Sequence, residues 1–297
     1  MTMKVAAMTV LRELYGLFKI RIGLAIAVSA LAGAAVTPGI SLPMWQVAVL
    51  GLAALGASAA AGAFNQLVER DLDTRMTRTR RRPFAAGRYQ AGKVWYLGIG
   101  LLLAGSVTVA GLVFNPLAAF HLFLGAVTYG VVYTMWLKMR TPWNIVIGGL
   151  SGTFAVLAGS AAVAPVPGPV PAALAMVLFL WTPPHFWSLA AALRQDYERA
   201  GVPMLPVVLG MARGARVIFA HTVVLVAVSL LPGLFGYGPA YLLPVALGGG
   251  YFLYRAWRFV EEPTAQRAMA SFYASLAQLT LVLIGAMIEG GYLAGAP

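Results

Sequence analysis

The chain has 297 residues, 60% apolar and 10% charged, with a net charge of +12 and no cysteine. That composition excludes an ordinary soluble domain, and the missing cysteines exclude disulfides, iron–sulfur clusters and thiolate metal sites. A basic balance points to nucleic acid only when the cations share one solvated face, and here they are distributed between apolar segments.

A membrane-crossing helix needs about 20 mostly apolar residues. Nine such stretches follow one another, near 15–36, 45–68, 94–114, 117–137, 144–163, 171–193, 214–234, 239–257 and 269–289. They predict one all-α polytopic bundle over 1–297; the period-2 alternation of a membrane barrel is absent. No small-residue cleavage site precedes the first stretch, so it is expected to be a retained anchor.

All 21 Lys and Arg fall at one set of connections. Lys4, Arg12, Lys19 and Arg21 precede or open the first span, and a run from Arg70 to Lys93 separates the second and third. Lys138 and Arg140, then Arg194 to Arg216, then Arg255 to Arg267 mark every second connection thereafter. The intervening turns, around Thr37–Pro43, Phe114–Pro116, Ala164–Pro171 and Pro232–Pro239, carry none. Basic loops stay in the cytoplasm, which predicts an N-terminus inside and a C-terminus outside. Eight of the nine acids share the basic side, Glu289 being the exception.

The second span ends in FNQLVERDLDTRMTRTRRRPFAAGR, Phe64 to Arg88. If the helix continues, Asn65, Glu69 and Asp73 stand at i, i+4 and i+8 on one face, with Asp71 turned away. Stacked oxygen donors suit a hard divalent cation, and Mg²⁺ uses one or two carboxylates plus substrate phosphate oxygens. The missing ligands imply a phosphorylated substrate, for which Arg78, Arg82 and Arg88 would supply planar donors. The alternative is a charged cytoplasmic loop in which acids merely balance bases.

The sixth span contains LFLWTPPHFWSLAAALRQDYERAGVPMLPV. Pro183 and Pro184 are expected to break the helix, because each removes a backbone donor and frees a carbonyl. His185 follows directly; an intramembrane histidine is either a substrate ligand or a helix-to-helix hydrogen-bond partner. Asp196 is placed to oppose Glu69 and Asp73, with Tyr197 a candidate partner of phosphate, while Glu198 faces elsewhere. His121 and His221 have no neighbouring acids, so metal binding by them is not expected. Trp181, Phe186 and Trp187 flank the proline pair as packing groups or as lining for a cation. The two acidic helix ends also suggest an internal duplication.

These segments, with RTPWNIVIGG at 140–149, resemble the UbiA-type intramembrane prenyltransferases, specifically the heme O synthase branch. The most specific pieces are WTPPHFWSLA at 181–190, DYERAGVPMLPV at 196–207, and the Asn65-to-Asp73 motif followed by RTRRRP. The resemblance implies nine helices around a central cavity and Mg²⁺ held by Asn65, Glu69, Asp73 and Asp196. It implies farnesyl transfer from farnesyl diphosphate to a vinyl group of heme B, giving heme O for heme-copper oxidase biogenesis. It also implies a bacterial or archaeal cytoplasmic membrane and a downstream heme-modifying or oxidase-assembly partner. Heme would meet His185 and Trp181, with propionates near Arg199 or Arg88.

Three departures stand out. Glu69 replaces the usual Asp; Ala200 stands where the wider superfamily often has a second Asp, leaving the metal count open; and Lys19-Ile20-Arg21-Ile22 lacks the family's proline. Rival readings are a quinone-precursor or chlorin prenyltransferase and a non-catalytic heme carrier, the latter needing neither Glu69 nor Asp73.

Overall fold

A computed structural model describes residues 3–295, with side chains over 8–291, so the Lys4 side chain lies outside the described residues. α1 (Met3–Leu17) and α2 (Ile20–Ala35) meet at a 51° bend. Lys19 lies in that break at φ 48°, the left-handed region, and is the only described residue other than glycine with positive φ. α3 (Met44–Val68) passes into a short α4 (Arg70–Asp73). α5 (Lys93–Val113) is followed by α6 (Pro116–Val127), which widens into a π-helical segment, Thr128–Leu137. Asn115 starts α6: its Oδ1 accepts from the Ala118 amide at 2.9 Å, and its Nδ2 donates to the Ala161 carbonyl at 2.6 Å.

The second half has α7 (Asn144–Gly148), α8 (Leu150–Val163), α9 (Pro169–Ala192), α10 (Arg194–Ala200) and α11 (Leu205–Leu209). α12 (Met211–Ser229), α13 (Pro239–Glu261) and α14 (Ala265–Gly295) complete it. All nine expected stretches are helical, but among the described residues seven helices are long and apolar enough to cross a membrane, or eight with the bent α1–α2 pair. The stretch at 239–257 forms α13 without joining that set, because tyrosines, prolines, Gly248–Gly250 and Arg255 dilute its apolar residues.

Small residues let the helices approach closely. A Cβ on Gly33 would strike the Val156 backbone, and one on Gly159 would strike the Ala30 carbonyl, so α2 and α8 touch main chain to main chain. The uncharged turns gather at one end: Gly39 meets Val163, Gly168 lies beside Pro38, and Gly290 packs on Ala35. Glu289 sits there, accepting from the Gly238 amide at 2.9 Å and the Tyr241 amide at 3.1 Å. It supplies the missing acceptor at the start of α13, where a carboxylate also opposes the helix dipole. The exceptional acid is therefore a cap.

The expected break in α9 does not form, and the helix continues through Pro183 and Pro184. The carbonyls these prolines leave unpaired belong to Phe179 and Leu180, four residues earlier. Gly149 lies against the Phe179 oxygen, where a Cβ would stand 3.1 Å away, and His221 of α12 reaches the Leu180 backbone. Neighbouring protein thus packs over the Phe179 oxygen and brings a polar partner to the Leu180 backbone, keeping both away from lipid.

Candidate active site

The α3–α4 junction keeps helical register: the Glu69 amide donates to the Asn65 carbonyl at 2.9 Å and the Asp73 amide to the Glu69 carbonyl at 2.8 Å. Asn65, Glu69 and Asp73 consequently share the buried face, at 2%, 6% and 2% exposure, while the Asp71 side chain is 86% exposed. Each polar group on this face has a partner. Lys138 Nζ lies 2.6 Å from both Glu69 oxygens. Arg82 Nη1 holds both Asp73 oxygens at 2.9 and 2.8 Å. Asn65 Oδ1 accepts from Lys19 Nζ at 2.6 Å, and its Nδ2 donates to Thr134 at 3.0 Å. Lys19 also donates to the Tyr129 hydroxyl at 2.7 Å.

The loop after α4 is folded rather than merely charged. Phe84 is buried edge-on against Trp95, with ring centroids 5.2 Å apart, and Tyr89 stacks on Trp95 at 5.4 Å. This anchorage turns Arg82 back onto Asp73. The same loop reaches the second motif, where the Arg78 amide donates to Asp196 Oδ2 at 3.2 Å. Arg199 donates to Asp196 Oδ1 at 2.6 Å and to Thr77 at 3.1 Å. Burial pushes the Asp196 carboxyl upward, but hydrogen bonds from Arg78 and Thr77 and the Arg199 charge outweigh it and hold it below its ordinary value. Tyr197 is buried beside Arg78, and burial raises its hydroxyl. A recess of about 620 Å³ opens between Thr77, Arg78, Asp196, Arg199 and Ala265.

The structure thus brings Asn65, Glu69, Asp73, Arg78, Arg82, Asp196, Tyr197 and Arg199 to one end of the bundle. Arg88 lies apart from the acids, bound to Glu13 of α1 at 2.6 Å. Glu198 pairs with Arg194 and is 42% exposed. Trp181 and His185 lie deeper, packed between α9 and α14. Sequence reasoning missed Lys19, Tyr129, Thr134 and Lys138 as members of the cluster. Lys19 and Lys138 read as orientation charges; their position at the edge of an apolar span, rather than out in a loop, was the available signal.

Among the described residues no three Asp, Glu, His or Cys side chains converge to hold one metal ion. A Mg²⁺ that draws ligands from a substrate needs only one or two protein carboxylates. Glu69 and Asp73, buried one helical turn apart on one face, fit that requirement in donor type.

A family model described as the UbiA prenyltransferase family matches residues 26–282. A Paramagnetospirillum magneticum protein named protoheme IX farnesyltransferase 2 is 54% identical, covering 94% of this chain and 97% of the relative. A Cenarchaeum symbiosum protein named protoheme IX farnesyltransferase 1 is 36% identical over 95% of this chain and 96% of its own. A UbiA homolog from Archaeoglobus fulgidus, solved with GPP and Mg²⁺, superposes with a TM-score of 0.67 at 15% identity, covering 91% of this chain and 99% of that one. A structure described for digeranylgeranylglyceryl phosphate synthase superposes at 0.77 with 16% identity, covering 95% and 99%.

Proposed function

The chain belongs to the UbiA prenyltransferase family, and from that premise we propose that it transfers a farnesyl group from farnesyl diphosphate to a vinyl group of heme B. The products are heme O and diphosphate. The observation that carries the acceptor is full-length similarity, 54% identical, to a relative named for protoheme IX farnesylation. The buried, charge-matched cluster around Glu69 and Asp73 supports the diphosphate half of the reaction.

Glu69 and Asp73 are the pair of carboxylates that would hold Mg²⁺ together with substrate phosphate oxygens, and Asp196 stands at the same end of the bundle as the second acidic group facing the diphosphate. Bound there, the ion supplies positive charge that offsets the departing diphosphate. The cations now paired with those acids, Lys138 on Glu69 and Arg82 on Asp73, are then free to turn to phosphate oxygens. Lys19 and Arg78 add donors at the same end, and Arg is suited to bidentate phosphate binding. Together these groups stabilise charge on the leaving group and favour ionisation to an allylic cation. Tyr129 and Tyr133 stack on each other at 5.9 Å and carry Lys19 and Lys138 over their rings at 5.2 and 6.0 Å, which holds both ammonium groups beside the cluster. The apolar bundle around the tail excludes water that would quench the allylic cation.

We further place the basic end in the cytoplasm of a bacterial or archaeal cell, with heme passed on to a membrane-bound heme-modifying or oxidase-assembly protein. Asp73→Asn and Asp196→Asn should each lower heme O formation from added heme B and farnesyl diphosphate by about a hundredfold or more. Near-normal turnover in both variants removes the carboxylate account. Offering membranes one labelled prenyl diphosphate with heme B, a quinone precursor and a chlorin tests the acceptor; label in either competitor rather than in heme overturns the assignment.

A further inference from the structure

His185 belongs to no part of the diphosphate cluster, yet it is among the most tightly held side chains in the bundle. Its ring stacks on Trp181 with centroids 4.1 Å apart and on Phe272 of α14 at 4.5 Å, so both faces are covered. Phe186 meets it edge-on at 5.0 Å. Nδ1 lies 2.7 Å from Ser275 Oγ, and the Ser275 carbonyl in turn accepts from Trp181 Nε1 at 2.7 Å.

The polarity of this network sets the state of the imidazole. A serine hydroxyl has one proton, and Ser275 gives it to the Phe272 carbonyl at 2.6 Å. Ser275 Oγ must therefore accept from His185, which places the ring proton on Nδ1 and leaves a bare lone pair on Nε2. That nitrogen has no hydrogen-bond partner among the described residues. Nδ1 of His121 and Nε2 of His221 are sealed in protein without a hydrogen bond, whereas Nε2 of His185 is not sealed. A histidine whose Nδ1–H is fixed on oxygen while Nε2 stays open has the arrangement found in metal-ligating histidines.

We propose that Nε2 of His185 is an axial ligand to the iron of the heme acceptor. The assignment rests on the heme reading above. His185 lies seven residues before the end of α9 at Ala192, about 10 Å of helix, and α10, which carries Arg194 and Arg199, follows directly. Ligation there anchors the porphyrin inside the bundle while its carboxylates can face the basic end. The His185–Ser275 pair then fixes the ring so that the vinyl group is presented in one orientation.

The test titrates the purified full-length protein with heme B and, in parallel, with metal-free protoporphyrin IX. His185→Gln should weaken heme binding about tenfold or more and alter the Soret band of the bound heme, while leaving metal-free porphyrin binding within about twofold of the parent. Ser275→Ala, which keeps the imidazole but releases its tautomer, should produce a smaller shift in the same direction. An unchanged Soret band and heme affinity in His185→Gln overturn the ligand assignment, as does an equal loss for both porphyrins, which marks a purely structural role. Either result leaves the farnesyl-transfer reading standing if heme O still forms; absence of transfer to heme in the parent protein defeats that reading instead.

Discussion

Glu69 and Lys138 lie 69 positions apart and meet at 2.6 Å with side chains only 5% and 11% exposed. Removing one partner of so buried a pair strands a charge, at a cost of about 3–5 kcal/mol. Lys138→Met should lower the melting temperature markedly in detergent, and the double variant Glu69→Met with Lys138→Met should recover most of the loss. Equal melting of parent and single variant rules out the buried pair. The sequence marked Glu69 through its spacing from Asn65 and Asp73, since 3.6-residue periodicity puts i, i+4 and i+8 on one face. Nothing local marks Lys138 as its partner, because the pairing depends on how the segment at 128–137 packs beside α3.

At the scale of the element, α9 shows where a local rule yields to its surroundings. Two adjacent prolines read as a helix break, and in water an interrupted helix would expose carbonyls to solvent. Inside the bundle, Gly149 and His221 cover those oxygens and the helix persists. Pro184→Ala returns an amide to the Leu180 carbonyl, so the His221 contact should become redundant. His221→Ala should cost about 1–3 kcal/mol alone and measurably less on the Pro184→Ala background. Additive losses in that double-mutant cycle, read by thermal or denaturant unfolding, would remove His221 from this role.

At the scale of the molecule, the charge asymmetry becomes a geometric fact: contacts from Lys19 to Asn65, Glu69 to Lys138 and Arg78 to Asp196 tie four basic segments to one end. The cysteine-free chain makes its orientation directly measurable. Single cysteines at exposed Lys93 and Arg140 should react with an impermeant maleimide only from the cytoplasmic face, and those at exposed Ile40 and Val166 only from the opposite face. Reversed labelling would sink the orientation.

Apolar stretch length, the Lys and Arg distribution and the Asn65–Asp73 spacing were enough to establish a multi-pass helical protein with a carboxylate face at a helix end. These features depend on periodicity and transfer energies that neighbouring residues carry by themselves. Only the folded bundle decided that Glu289 caps α13, that α9 survives its prolines, that Lys19 and Lys138 join the acids, and that Ser275 sets the proton on His185. Each of these joins groups far apart in sequence, and a buried polar group takes whichever partner the packing brings within about 3 Å.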